Sequence, residues 1–524
     1  MTDAVPGPRD WQPPHNKWLI ALAVTLAAFM EILDTTIVNV SLPHIAGNMS
    51  VSTDDATWTL TSYLVANGIV LTISGWLSRV FGRKCYFLVC IGMFTLCSAL
   101  CGLSQNLPEL ILCRLAQGFF GGGLQPTQQA ILLDAFKPEE RSRAFALTAI
   151  ATVVAPVLGP ALGGVITDNI SWRWIFFINL PVGALALFSV MHLVTDPPWA
   201  RRRSASIDAI GVGLIALGLG ALQIMVDRGE DAGWFGSDFI RLMACLAAIG
   251  ILGAIAWLLY TDQPVVKLRV LRDANFAVSS VLMVAMAAVL YASAVVIPLL
   301  AQQQLGYTAT LAGEILSPGA FVVALLIPLA SQVQQRVPTK FVIAFGFATL
   351  GGSMLYSHRL TPDVSFTVLA MMRIAQAAGL AFLFVPLTTI AFANISREDN
   401  GDASALFTMF RNVAGSIGIS LSTAMITERT QVRMAHLASH VSPLDQGFAY
   451  TLQQYQDALR NMGRAAGTTG QAALGVLYQV YRGQAAVLAF MDIFAFCAVM
   501  AFAMVPMALL LSNKKGGGGP GGAH

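Results

Sequence analysis

The chain has 524 residues, 56% of them hydrophobic and only 11% charged. Soluble domains carry about 25% charged residues, so this composition argues against an aqueous fold and suits a dozen or so membrane crossings of about 20 residues each. A net charge of +3, dispersed along the chain, argues against nucleic-acid binding.

Residues Met1 to Asn16 are polar and contain Pro6, Pro8, Pro13 and Pro14. The apolar run after Lys17 is too long for a signal-peptide core and has no small-residue cleavage site before polar sequence, so it reads as a retained first span. Fourteen spans are expected, at 18–42, 56–77, 85–104, 108–133, 143–167, 173–195, 208–227, 239–261, 276–302, 308–330, 339–357, 365–393, 402–427 and 485–511. Each is long enough for a hydrocarbon core of about 30 Å, and each must be helical because lipid offers backbone groups no partner. The seven cysteines (Cys85, Cys90, Cys97, Cys101, Cys113, Cys245 and Cys497) fall inside these runs and read as small packing residues, with no metal site and no disulfide implied.

Lysine and arginine alternate between loops. One set carries Arg79, Arg83 and Lys84, then Lys137, Arg141 and Arg143, Arg201, Arg202 and Arg203, Lys267, Arg269 and Arg272, and finally Arg336 and Lys340. The other short loops hold little beyond Arg228 and Arg359. The positive-inside rule therefore places both termini in the cytoplasm. Residues 428–484 are expected as a long polar loop on the opposite side, rich in Gln and Tyr, and Lys514 to His524 as a disordered glycine-rich tail.

Arg114-Leu115-Ala116-Gln117 in the fourth span recurs as Arg373-Ile374-Ala375-Gln376 in the twelfth, each followed by a Gly-containing run and a proline (Pro126, Pro386). An internal repeat of six spans follows, with spans 7 and 8 as an inserted pair. The expected fold is an all-α integral membrane protein of two six-helix bundles plus two inserted central helices. Its parts are 1–200 (cytoplasmic N-terminus and first bundle), 201–272 (inserted pair), 273–513 (second bundle with loop 428–484) and 514–524 (tail).

An ionisable group near the centre of a span costs about 2.5 kcal/mol or more to insert, so it faces protein or a water-filled cavity. Glu31 and Asp34 are three apart on span 1, about 18 Å and 13 Å below its outer end by helical rise, and Arg114 lies about 9 Å below the same surface. Asp34 and Arg114 are at comparable depth and within reach of each other, directly or through water. Desolvation raises a carboxyl pKa and a nearby guanidinium lowers it, so a site where substrate changes either influence is a proton-coupled switch. The alternative is a structural ion pair. Glu31 has no evident mate and reads as a second proton site, a recognition group for cations, or a satisfied structural residue. Glu314 and Asp492 are shallow enough to reach water, while Arg373 and Arg411 are deeper and suit a carboxylate or a broken helix end. No histidine lies near a midplane, and neither a His/Asp metal site nor a Ser/Lys dyad appears within the spans, so no enzymatic activity is expected.

Span 5 reads Ala155-Pro156-Val157-Leu158-Gly159-Pro160-Ala161-Leu162-Gly163-Gly164. Ala155, Gly159 and Gly163 form a small-residue stripe that permits close helix approach, and two prolines four apart favour a bend. The combination suggests a shaped contact between moving halves.

With these residues the chain resembles the major facilitator superfamily, in its fourteen-span drug/proton antiporter branch, and most closely the EmrB-like inner-membrane exporters. The resemblance rests on Leu33-Asp34-Thr35-Thr36-Ile37-Val38-Asn39-Val40-Ser41-Leu42-Pro43, on Arg114 to Gly118, and on the antiporter motif with Gly159, Pro160, Gly163 and Gly164. It also rests on Trp172-Arg173-Trp174-Ile175-Phe176-Phe177-Ile178-Asn179-Leu180-Pro181, Gly306-Tyr307-Thr308-Ala309-Thr310, Pro386-Leu387-Thr388-Thr389 and the end Gly521-Gly522-Ala523-His524.

The resemblance implies a major facilitator fold in the inner membrane, export from the cytoplasm, and proton coupling through Asp34 and Arg114, with no cofactor beyond the proton. It implies partners as well: small hydrophobic or amphipathic substrates, a periplasmic adaptor of the EmrA type and a TolC-type outer-membrane channel. The expected mechanism is alternating access around a cavity that takes Phe29, Met30, Glu31, Gln117, Arg373 and Arg411 as candidate lining. Two departures stand out. Arg79 occupies the place of the usual Asp in the loop motif after span 2, which puts the usual clamp in doubt, and Ala155 replaces a commoner Gly. The alternatives are an exporter of one lipid-like or siderophore-like metabolite and, outside transport, a membrane sensor, against which the short cytoplasmic segments argue.

Overall fold

Backbone groups in hydrocarbon must bond within their own segment, and among the described residues every regular element is helical. The structure, a computed structural model, describes residues 13–197, 208–358, 364–439, 446–462 and 466–512. The loop arginines 201–203, Arg359 and the tail 514–524 lie outside the described residues.

The first half contains α1 (Lys17–Met49), the single turn α2 (Thr53–Ala56), α3 (Trp58–Phe81), α4 (Arg83–Leu103), α5 (Leu107–Gly121), α6 (Leu124–Ala135), α7 (Arg141–Asn169), α8 (Trp174–Phe177) and α9 (Asn179–Leu193). A pair follows, α10 (Ala209–Arg228) and α11 (Asp238–Tyr260). The second half contains α12 (Ala274–Gln303), α13 (Ala309–Arg336), α14 (Thr339–Ser357), α15 (Phe366–Ala391), α16 (Asn400–Ser439), α17 (Gln446–Asn461) and α18 (Ala466–Leu509). All fourteen expected spans coincide with helix. Lys17 meets Glu140 at 2.6 Å and Asn275 donates to the Ser512 carbonyl at 3.2 Å, so the start of α1 and the end of α18 share one end of the bundle, the terminal end.

Eleven of the described helical passages are long and apolar enough to cross a membrane. The other three are α5–α6, α7 and α16. The span expected at 108–133 is broken between α5 and α6 because Pro126 has no N–H to give the carbonyl four residues back, that of Gly122. Gly122 also lets α5 touch α3: a Cβ there would sit 2.4 Å from the Asn67 carbonyl oxygen and 2.8 Å from the Leu71 nitrogen.

Two further expectations are corrected. Residues 428–484 are largely helix rather than loop, since α16 and α18 run on past the membrane and α17 folds back against α18. Forty and 44 residues make helices of about 60 and 66 Å at the α-helical rise, against a core of about 30 Å. A bidentate pair from Arg433 to Asp492, at 2.6 and 3.1 Å, ties the two together near the membrane. The glycine stripe of α7 faces α1 within its own half, not the opposite half: a Cβ on Gly159 would lie 2.1 Å from Thr36 Oγ1, and one on Gly163 2.8 Å from the Ile37 carbonyl oxygen. Another face of α7 meets α13 of the second half, where Ser331 donates to Ser142 at 3.1 Å.

Gly122→Ala forces α3 and α5 apart and is expected to cost about 1–3 kcal/mol, lowering the thermal midpoint of the purified protein by several degrees. Gly213→Ala, with nothing within 4 Å of the added carbon, leaves the midpoint unchanged or slightly raised.

Candidate functional site

Asp34 is fully buried on α1, and its two oxygens accept from three side chains on two other helices, α5 and α9. Arg114 Nη1 of α5 donates to Oδ2 at 2.6 Å, while Gln117 and Asn179 donate to Oδ1 at 3.0 and 2.7 Å. Arg114 also donates to Gln117 Oε1 at 2.8 Å and to the Thr59 carbonyl at 3.3 Å. Its guanidinium lies over the Tyr63 ring at 4.1 Å and near Phe176 at 5.6 Å, where cation–π attraction adds to the ion pair. Asp34 and Arg114 therefore pair directly, without an intervening water. Asn179 has no charge to draw the eye; the signal that pointed towards it was the Trp172–Pro181 motif.

Glu31 has mates that its sequence position did not reveal. Asn67 donates to it at 3.0 Å, Tyr63 Oη at 3.3 Å, and the Gln125 amide closely. The carbonyl of Gln125 accepts in turn from Arg411 on α16. A chain of polar contacts, Glu31–Gln125–Arg411, thus crosses from the first half to the second at the middle of the bundle. Tyr63 links the two acids, with its hydroxyl on Glu31 and its ring under the guanidinium that holds Asp34.

These groups face a cavity of about 170 Å³ between the halves. Glu31, Tyr63, Asn67 and Arg114 line it from the first half; Tyr291, Asn412 and Ser416 line it from the second; Gln223 lines it from α10. It extends to Leu60, in the first turn of α3, and so towards the end opposite the termini. Of the other candidate lining residues, Met30 is fully buried in the apolar core and Phe29 packs on Ile32, Leu33 and Ala155. Gln117 is engaged with Asp34. Arg411 borders a much smaller void of about 10 Å³ on the terminal side of Gln125. Arg373 is buried apart from the cavity and donates to Ser293 at 3.0 Å, with Gln376 at 3.5 Å. This repeats the Arg114–Gln117 arrangement, with a serine where the first half has its acid.

The terminal end is shut. Phe145, Phe276, Phe392 and Phe407 cluster across the halves, with ring centroids 5.5 to 6.3 Å apart. Outside them Arg79 of α3 pairs with Asp402 in the first turn of α16. Lys267, in the link from α11 to α12, lies 2.6 Å from Asp399 and 3.9 Å from Asp402. Partial burial pushes the Asp399 carboxyl up, but the hydrogen bonds from Lys267 and Ser396 outweigh it and hold the group below its ordinary value. Arg83 and Arg141 of the first half cap carbonyls of Arg397 and Phe392 at 3.4 and 3.3 Å. The clamp that Arg79 placed in doubt is therefore present with a new partner.

Comparison with known proteins agrees with this architecture. The family described as Major Facilitator Superfamily matches residues 24–419. The chain is 35% identical over 510 residues to "Multidrug export protein EmrB" of Escherichia coli (strain K12), covering 97% of this chain and 98% of that protein. It is 31% identical over 514 residues to "Fatty acid resistance protein FarB" of Neisseria gonorrhoeae, covering 97% and 100%. Among solved structures, the human organic anion transporter MFSD10 (TETRAN) shares the fold with a TM-score of 0.56 at 14% identity, covering 94% of this chain and all of that one.

Removing one member of a buried ion pair strands the other. Asp34→Asn is expected to cost about 3 kcal/mol in thermal denaturation of the purified protein, and the double change Asp34→Asn/Arg114→Gln to recover at least half of the loss. Additive losses would mean that the two residues are not energetically coupled.

Proposed function

The chain belongs to the Major Facilitator Superfamily as an EmrB-like, multi-pass membrane transporter and is not an enzyme, and from that premise we propose that it is a proton-coupled antiporter. Its substrates are hydrophobic or amphipathic toxic compounds, exported across the inner membrane by alternating access. The observation that carries the reading is the pair of buried acids, Asp34 and Glu31, joined through Tyr63 beside a cavity to which both halves contribute. Asp34 supplies a proton site whose charge is balanced by Arg114, and Glu31 supplies a second acid that holds the halves together through Gln125 and Arg411.

The positive loops assign the terminal end to the cytoplasm, so the present arrangement, shut at that end, is the outward-facing or occluded one. Protonation of Asp34 from outside removes its attraction for Arg114 and frees the guanidinium for the cavity. Protonation of Glu31 loosens the bridge to Arg411 and lets the halves rock. A membrane potential contributes about 2.3 kcal/mol per charge per 100 mV to such a step. The proton is the only coupling ion required. The names of the relatives, multidrug export and fatty acid resistance, support apolar and amphipathic cargo, and the methionine and phenylalanine content (20 and 29) suits a pliable site.

The helical projection formed by the outer parts of α16 and α18 with α17 supplies the dock for a periplasmic adaptor of the EmrA type, which delivers substrate to a TolC-type channel. Its support is shape: helices that outrun the membrane by tens of ångströms on the far side.

Two measurements check this reading. In proteoliposomes, lipophilic cations and neutral uncouplers added to the wild type are expected to drive proton movement, and Asp34→Asn to bind them while moving protons at least about tenfold more slowly. Normal coupling in the variant would make Asp34–Arg114 structural and leave Glu31 as the coupling acid. Replacing 440–465 by a short linker is expected to abolish co-purification of the adaptor while leaving substrate-driven proton movement intact; retention of the adaptor would sink the docking assignment.

A further inference from the structure

Two side chains on the second-half wall of the cavity have hydrogen-bonding capacity that the protein does not use. Tyr291 sits mid-way along α12, half-buried, and lines the 170 Å³ cavity. Among the described residues its hydroxyl neither gives nor takes a hydrogen bond, and it is not sealed from open space. Its ring is pressed against bare backbone of α16, where a Cβ on Gly415 would lie 2.6 Å from the ring carbon Cδ2. Asn412 lies about one turn before Gly415 on the same face of α16 and lines the same cavity. The two side chains are therefore neighbours on one wall.

Arg411 settles which end of the Asn412 amide is left over. Its Nε and Nη2 donate to Asn412 Oδ1 at 3.3 and 3.4 Å. A guanidinium has donors only, so it holds the amide oxygen and leaves the Nδ2 donor open, without an acceptor among the described residues. The acceptors of Arg411 are themselves uncharged, the amide oxygens of Gln125 and Asn412, and it forms no ion pair among the described residues. Asp34 is answered directly by Arg114, and Glu31 takes hydrogen bonds from Tyr63, Asn67 and Gln125. Tyr291 feels Arg411 through space more strongly than Glu31. Two open donors beside a guanidinium without a counter-ion are complementary to an ionised oxygen.

We propose that Tyr291 and Asn412 are a specificity-determining pair, whose Oη and Nδ2 donate to an oxygen acceptor on the cargo, a carboxylate or phenolate ahead of a neutral carbonyl. Arg411 orients the Asn412 amide and supplies the favourable charge. This inference rests on the export reading of the cavity and names the headgroup that reading leaves open.

The test is equilibrium binding to the full chain in lipid nanodiscs, with binding to empty nanodiscs subtracted. Three probes of similar shape are used: 2-naphthoate, the neutral ketone 2-acetonaphthone, and (2-naphthylmethyl)trimethylammonium, which has no acceptor. Tyr291→Phe and Asn412→Ala are each expected to weaken naphthoate about tenfold, the worth of one hydrogen bond to a charged group. The ketone is expected to weaken only about threefold, and the ammonium by less than that. Retained ammonium binding also certifies that each variant is folded. Equal losses of naphthoate and ketone overturn the preference for an ionised oxygen. Equal losses of all three probes, no loss of naphthoate, or a wild type that binds the ammonium but not naphthoate overturn the pair while the cavity reading stands. Failure of the wild type to bind any probe overturns the export reading and this inference with it.

Discussion

Everything in the first half is arranged around one charged contact, Arg114 with Asp34, both without solvent access. A lone carboxylate or guanidinium at this depth carries a desolvation cost of several kcal/mol. The protein meets it by surrounding the pair with donors to Asp34 from α5 and α9 and with the Thr59 carbonyl and Tyr63 ring of α3 against Arg114, so that the pair becomes the common node of four helices. The same enclosure makes the node responsive. Its energy depends on both partners staying charged, and one of them is a carboxylate that a proton can neutralise. A structural ion pair and a coupling site are here the same object in two protonation states.

From that node two longer-range connections run to the second half. The inner one, Glu31 to Gln125 to Arg411, separates the 170 Å³ cavity from the small void on the terminal side. The outer one closes the terminal end, where Arg79, Lys267, Asp399 and Asp402 alternate in sign and Gly75 lets the start of α16 come within backbone contact of α3. The charge order at this clamp is inverted relative to the pattern the sequence resembles. Asp402 now sits in the first turn of α16, where the helix dipole favours a negative charge, and Arg79 supplies the opposite sign from across the interface. Lys267 draws the link after the inserted pair into the same cluster, so those helices are attached to the clamp as well as to the cavity wall.

The spans were legible because hydrophobic length is a one-dimensional property, and the 339–357 span even matches α14 residue for residue. Asp34 and Arg114 were legible because charge in an apolar run is conspicuous and helical rise gives depth. What stayed hidden was azimuth. The glycine stripe of α7 announced close approach but not which neighbour approached, and it proved to be α1. Glu31 appeared mateless because its partners, Tyr63, Asn67 and Gln125, are uncharged and lie 32, 36 and 94 residues away. The 428–484 segment read as loop because polarity was taken for irregularity, whereas a helix that leaves the membrane turns polar without ending.

That last point extends to the three passages that fall short of the apolar standard. α5–α6 carries Arg114, Gln117 and Gln125; α16 carries Asp402, Arg411, Asn412 and Ser416; α7 carries the glycines that bring α1 close. A helix can give up apolar residues only where protein or water, not lipid, receives its polar groups. These helices are therefore the ones lining the cavity, the clamp or the contact that positions Asp34. In a bundle of this kind the weakest membrane signal falls on the transport path, and the strongest falls on helices such as α11, with the highest hydropathy of the eleven and the least burial, whose neighbour is lipid. α10 lies between these classes. It is apolar enough to span a membrane, yet it brings Gln223 to the cavity wall beside Ser416 of α16.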